Sequence, residues 1–372
     1  MDDSGVDLLI VFPAFLPADA MWIAGQPGAV LFPRDGEPRI LLGGEDAALE
    51  ITRPPGWIGE REFVGFANGV LWGDAVAAQL AKMGLAGRTI AIAGMTGDEY
   101  LNMHQPEGYL NYTTIRSVVD ALPTSCKVID GTPILSMARY VKSAEEIDRI
   151  QESVRLGETV ADRIRQELRP GRAQAEVFAA ATLATISEGK LANFGWCPGR
   201  WGEPRTRMVG PPPGVVEAGL YLATEIVVPV AGYAGQIAQA FVVGEPNDEA
   251  KRLFEINRAA FEAARNAMRP GATWGEVVDA TSEAARGSGC FVEFILHGCG
   301  TGPLITPYNS HENVKDDVLV ESTTFILKPS AVPDGVEWSA RSWDVSWGDM
   351  VVVRPDGAQR LGTRPVELLA CR

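Results

Sequence analysis

The chain has 372 residues, 46% of them hydrophobic, and a formal net charge of −15 from 33 basic and 48 acidic residues. That length supplies cores for two or three domains. The acidic balance disfavours nucleic acid, whose phosphates require lysine and arginine patches. No apolar run approaches the roughly 20 residues of a membrane helix. The acidic start Met1-Asp2-Asp3-Ser4 lacks the basic region of a signal peptide. Five scattered cysteines (126, 197, 290, 299 and 371) show no CxxC spacing and fit a reducing compartment. The expectation is a cytoplasmic protein with neither a nucleic-acid nor a membrane partner.

In chain order, residues 7–13 (DLLIVFP) read as a buried strand. Residues 28–33 and 39–43 bracket the turn Asp35-Gly36-Glu37-Pro38, a hairpin signal. Residues 72–83 have helical periodicity, with Val76, Leu80 and Met83 on one side. Residues 89–93 form another buried strand, 98–104 and 115–122 read as helical, and 127–130 as extended. This is an α/β domain over residues 1–136. The join follows at 137–142 (MARYVK). Ser143-Ala144-Glu145-Glu146 is a capping box. A long helix continues through Ile147, Ile150, Val154, Ala161, Ile164 and Leu168 and stops at Pro170-Gly171.

The second half of the chain carries an internal repeat. RPGRAQAEVFAAATLATISEG (169–189) aligns without gaps to RPGATWGEVVDATSEAARGSG (269–289). Each copy follows a long helix and precedes strands, which points to a duplicated helix–turn–helix–sheet unit with a pocket between the two hairpins. The first hairpin is 221–230 returning through 237–243, joined by the turn 231–235. Glu225 lies inside its apolar strand, and Gln236 sits just past the turn. The second half supplies 323–329 (TTFILKP) and 339–353, with Lys328 as another charge in an apolar strand. An unpaired buried charge costs several kcal/mol, so a Glu225–Lys328 pair across one cleft is the simplest way to satisfy both.

VDLLIVFP…GAVLFPRDGEPRILL, ARYVKSAEEIDRIQESVRLGETVAD, MRPGATWGEVVDA, GYAGQIAQAF, HGCGTG and FILKP occur in that order. In these stretches the chain resembles the pita-bread superfamily of creatinase, prolidase, aminopeptidase P and methionine aminopeptidase. The resemblance implies a mixed α/β (α+β) fold. A creatinase/prolidase-like N-terminal domain (1–136) would precede a pseudo-two-fold pita-bread catalytic domain (137–372). It also implies a homodimer in which each N-terminal domain lends residues to its partner's pocket.

The metallopeptidases of that superfamily hold two metal ions with two Asp, one His and two Glu. Carried over, those positions fall on Glu225, Gln236, Thr301, Lys328 and near Gly348. A dinuclear divalent site needs deprotonated oxygen and nitrogen ligands, and this set has no net charge and includes an ammonium. The expectation is an enzyme with no metal and no cofactor. The general acid/base His of creatinase falls near Met208, whose thioether cannot transfer protons. Another active-site His of the family falls on Tyr308, while the first His of the HGxGH pattern is retained as His297.

On this resemblance His297, Glu225, Tyr308 and Lys328 are the catalytic candidates. His297 would transfer protons, with Glu225 and Tyr308 assisting. Lys328 would anchor a substrate carboxylate or a developing anion. Gln236, Thr301, Arg205, Arg207, Arg341, Trp196 and Trp343 are the substrate-binding candidates, because tryptophan interleaved with arginine suits a flat or cationic ligand that carries a carboxylate. Trp201, Trp338 and Trp347 fall in the same two segments. A buried salt bridge and core aromatics are the structural alternatives. The functional expectation is a metal-independent, creatinase-like hydrolase or lyase. It would cleave a C–N or other C–heteroatom bond in a small carboxylate-bearing molecule, aromatic or cationic in part. The rivals are a non-catalytic binding or scaffold protein on a peptidase fold and an Xaa-Pro-type metallopeptidase.

Overall fold

A computed structural model gives the architecture. It describes the chain except residues 2–3, 14–22, 25–27, 44–56, 65–70, 96–109, 204, 206, 209, 294–295, 299, 301–314 and 338–343, together with the side chains of Phe63, Leu296 and His297. The helix expected over 98–104 lies outside the described residues. The backbone divides into two compact units between Arg139 and Tyr140. Among the described residues no helix is long and apolar enough to cross a membrane.

The first unit is built on a six-stranded sheet of order β4-β3-β2-β1-β5-β6. Its strands are β1 (Leu8–Val11), β2 (Ala29–Pro33), β3 (Arg39–Gly43), β4 (Glu60–Val64), β5 (Thr89–Ile92) and β6 (Lys127–Asp130). β1 pairs antiparallel to β2 and parallel to β5. Its four residues are all buried, Leu8 and Ile10 in one apolar cluster and Leu9 and Val11 in another. Burial on both faces is why this strand reads as a continuous apolar run rather than an alternating one. Helices α1 (Trp72–Leu80) and α2 (Tyr112–Ala121) supply Val76, Leu80 and Val118 to the first cluster. A third helix, α3 (Thr132–Tyr140), occupies most of the stretch read as a join. Pro133 sits in its first turn, where a missing N–H is tolerated, and the Asp130 carboxylate accepts from the Thr132 N–H at 3.0 Å.

The second unit shows the repeat directly. α4 (Ala144–Glu167) is followed by α5 (Gln174–Thr182), and α6 (Asp248–Ala267) by α7 (Trp274–Glu283). Gly171 and Gly271 both have φ of 84°, a left-handed conformation that favours glycine. Each donates its N–H to a loop carbonyl, Val216 at 2.8 Å and Leu319 at 2.9 Å. The Ser143–Glu146 capping box is formed, and a second one at Thr273–Glu276 starts α7.

Strands β7 (Asn193–Gly199), β8 (Tyr221–Val227), β9 (Gln236–Val243) and β16 (Leu369–Cys371) form one sheet of order β16-β9-β8-β7. A second sheet, β11-β12-β14-β15, contains β11 (Leu296–Gly298), β12 (Thr324–Leu327), β14 (Asp349–Val352) and β15 (Gln359–Arg360). β10 (Cys290–Glu293) pairs with β13 (Ser330–Pro333), a pairing the sequence patterns did not suggest. The two four-stranded sheets meet at an antiparallel bridge between Ala238 and Gly348, with N–O distances of 3.0 Å in both directions.

Candidate functional site

The β8–β9 hairpin presents two unlike faces. Phe194, Trp196, Leu222, Ile226, Ile237 and Phe241 join the apolar cluster that includes Ile150, Val154 and Val160 of α4. The opposite face carries Gly195, Cys197, Ala223, Glu225, Ala238 and Ala240, because side chains alternate and Glu225 is level with Gly195 and Ala238. Large residues thus pack one side; on the other, the space over Gly195 is taken by the Arg207 side chain, which a Cβ there would meet.

The hairpin is fixed from α4. Ser153 Oγ donates to Val228 O at 2.6 Å and accepts from the Gly235 N–H at 2.7 Å. Gly235 tolerates no side chain, since a Cβ would lie 2.7 Å from Val154 Cγ2 and 2.9 Å from Ile150 O. Tyr233 adds a hydrogen bond from its hydroxyl to Glu146 at 3.1 Å. These contacts set the position of Gln236, the next residue.

Glu225 lies on the small-residue face and is 7% exposed. Its Oε1 accepts from Lys328 Nζ, and its Oε2 forms a 3.3 Å ion pair with Arg207 Nε. Lys328, also 7% exposed, makes a further hydrogen bond to Gln236 Oε1 at 3.3 Å. Gly348 backs the lysine. Residues from two sheets and four segments of the chain therefore converge, with two cations around one carboxylate. The Cys197 thiol belongs to the same neighbourhood. Burial and the Glu225 carboxylate push it up to about 12, against Arg207, Arg205 and Lys328, which lower it. It is not a thiolate nucleophile near neutral pH.

Several expected roles change. Trp196 is fully buried on the helix side of β7, with its Nε1–H bonded to Gln174 at 3.1 Å and its ring against Phe178 and Phe194. It is a core residue, not a substrate contact. Arg205 is turned to a buried ion pair with Asp344 at 2.7 Å and lies over the Tyr221 ring. Its charge is consumed there. Trp347 packs edge-on against Phe261 under Arg360 and Arg364, and Trp201 stacks on Tyr221 while donating to Glu249. Glu225 has a cation on each oxygen, which opposes its use as a free base. His297 pairs through its backbone with Ile326 in the β11–β12 ladder. Thr301, Tyr308, Arg341 and Trp343 lie outside the described residues.

A buried network behind Gly348 was not anticipated. Arg364 Nη2 donates to Ala238 O at 2.8 Å and to Gly348 O, joining both sides of the inter-sheet bridge. Asp349 pairs with Arg360 at 2.7 Å. Glu158 of α4 accepts from the Thr363 and Arg364 N–H groups at 2.6 and 2.8 Å. The one signal for this network was Asp349 standing inside the apolar run 347–353.

Residues 148–355 match metallopeptidase family M24. The chain belongs to that family. The probable dipeptidase PepE of Mycobacterium tuberculosis is 25% identical over 391 residues, covering 99% of this chain and 92% of that protein. An uncharacterized hydrolase/peptidase, y4tL of Sinorhizobium fredii, is 29% identical over 196 residues; the match spans 49% of this chain and 47%, about half, of that relative. The X-Pro aminopeptidase of Thermotoga maritima superposes with a TM-score of 0.75 at 19% identity, covering 98% of each chain. PepE of Mycobacterium ulcerans gives 0.73 at 22%, with 99% of this chain and 94% of the other. Both establish the prolidase/aminopeptidase P-type pita-bread fold.

An M24 metallopeptidase implies a metal centre, and the donor set can be tested against one. Glu225 contributes one carboxylate and Gln236 one neutral amide oxygen. Lys328 contributes an ammonium, and Gly348 no side chain. Two divalent ions need several anionic oxygens to offset four positive charges, whereas these four residues carry no net charge and Arg207 beside them adds a positive one. Among the described residues no group of three or more His, Cys, Asp or Glu could hold a metal ion. The described residues do not fit a dinuclear centre.

Proposed function

We infer that this M24-family protein is a hydrolase that cleaves the amide C–N bond of a small, peptide-like substrate bearing a free carboxylate. The observation that carries the reading is the surplus positive charge around Glu225, on a sheet face lined by glycine and alanine. It offers a cationic anchor made of the buried Lys328, where a charge acts most strongly, and the half-exposed Arg207. The full-length similarity to a probable dipeptidase supports a peptide-like substrate.

Lys328 and Arg207 hold a substrate carboxylate or the oxyanion that forms when water adds to the carbonyl carbon. Glu225 orients the two cations instead of serving as the base. His297 transfers the proton that the departing amine requires, with Tyr308 as a further donor. The donor set favours chemistry carried by these side chains without a catalytic metal.

A second reading, an Xaa-Pro-type metallopeptidase, is favoured by the relatives' names. A lyase role draws no support from them. The test is a panel of dipeptides, Xaa-Pro included, incubated with the purified protein and followed by mass spectrometry, with chelator or with added Mn²⁺. Cleavage that survives chelator and falls in Glu225→Gln is the expected result. Cleavage that appears only with Mn²⁺ selects the second reading, and no cleavage of any peptide rejects both.

A further inference from the structure

We propose that Lys328 is the resident cation of the Glu225 centre, and that this centre takes no divalent metal ion. The argument rests on occupied positions. Lys328 Nζ lies on Glu225 Oε1 and within 3.3 Å of the Gln236 amide oxygen, so the ammonium bridges the two oxygen donors a metal would need. Arg207 holds the second Glu225 oxygen. An incoming divalent ion would have to displace an ammonium from Oε1 and would then face the buried Lys328 and the half-exposed Arg207, two like charges that repel it.

The backbone around the lysine is matched to it. Gly348 passes so close that a Cβ there would meet the Lys328 Cβ, Lys328 Cα at 3.0 Å and Leu327 O at 2.8 Å. No carboxylate can be added at 348 without moving the strand that carries Lys328. Arg364 fastens the carbonyl of the same glycine to Ala238, and Ala238 is the cross-strand partner of Glu225. The lysine, the glycine and the arginine-held bridge make one device that keeps a fixed positive charge against the carboxylate. This inference goes beyond the proposed hydrolysis and holds whichever substrate is cleaved.

The test is calorimetric titration of the full-length chain with Mn²⁺ or Zn²⁺ alone, together with metal analysis of the protein as purified. The expected result is substoichiometric metal and no saturable heat in the native chain, with a gain of about one equivalent in Lys328→Glu, where an anionic oxygen replaces the ammonium. If circular dichroism shows Lys328→Glu unfolded, Lys328→Gln takes its place, since it removes the charge and keeps an oxygen donor. Stoichiometric metal in the native chain that is lost in Glu225→Gln overturns the proposal. So does a folded Lys328 variant that gains no metal, because the ammonium would not then be what excludes it. The readout is binding, so a failed dipeptide panel does not affect it.

Discussion

The Cα of Gly348 lies against the side chain of Lys328, on the seam where the two sheets of the second unit meet. Gly348→Ala forces the two segments apart. The expected loss is about 1–3 kcal/mol, as for other overpacked sites, read by urea denaturation. Adding Lys328→Ala should recover little of it, because Leu327 O and the residue-328 backbone still obstruct the new methyl group. Full recovery in the double variant would show that only the flexible lysine is in the way.

Lys328→Met removes one cation from a buried carboxylate. Breaking such a pair from one side costs about 3–5 kcal/mol, and Arg207 on the other oxygen should hold the loss near the lower end. Glu225→Gln in the same background should cost less than the sum of the single changes, because the uncompensated charge disappears. Strict additivity in a double-mutant cycle would mean that the two groups do not interact in solution.

Ser153→Ala deletes the hydroxyl that joins α4 to both strands of the first hairpin. It leaves the buried Gly235 N–H without its acceptor. The expected cost is about 1–3 kcal/mol, with the loss of affinity for any centre ligand following from a less fixed Gln236. A variant as stable as the parent in chemical denaturation would exclude this anchoring role.

Stability should fall on the alkaline side. Burial lifts the Cys197 and Cys371 thiols from 9.0 to about 12, and the Tyr140 phenol from 10.0 to about 12. Each group holds its proton more tightly when folded than when unfolded. Their contribution is therefore complete below pH 9 and is lost as pH climbs from 9 towards 12. Calorimetric Tm measured from about pH 8 to about pH 11 should decline progressively. A constant Tm over that range would contradict the burial of these groups.

The fold was legible where local chemistry repeats or punctuates. The Arg-Pro-Gly turns, the capping box at Ser143 and the apolar hairpin 221–243 all form, because each depends on residues close in sequence. The meeting of Glu225 with Lys328 was legible because a charge inside an apolar strand demands a partner. The fate of the aromatics was not. Trp196 and Glu225 sit on neighbouring strands with opposite facing, and only the β7–β8 register, with Gly195 level with Glu225, decides which points to the helices. Arg205 could equally have faced a ligand until Asp344, 139 residues away, was placed against it. Arg364 was invisible for the same reason, since its two acceptors are backbone carbonyls from distant strands.

The arginine clasp has a consequence for how the second unit opens. One buried guanidinium grips a carbonyl from each sheet, and its own backbone is moored to α4 through Glu158. The halves cannot swing apart like a hinged shell without breaking the Ala238–Gly348 bridge and at least one of the two Arg364 bonds. Opening at the centre therefore costs those bonds, and the Ala238 and Gly348 amides should exchange with deuterium more slowly than amides outside hydrogen-bonded ladders.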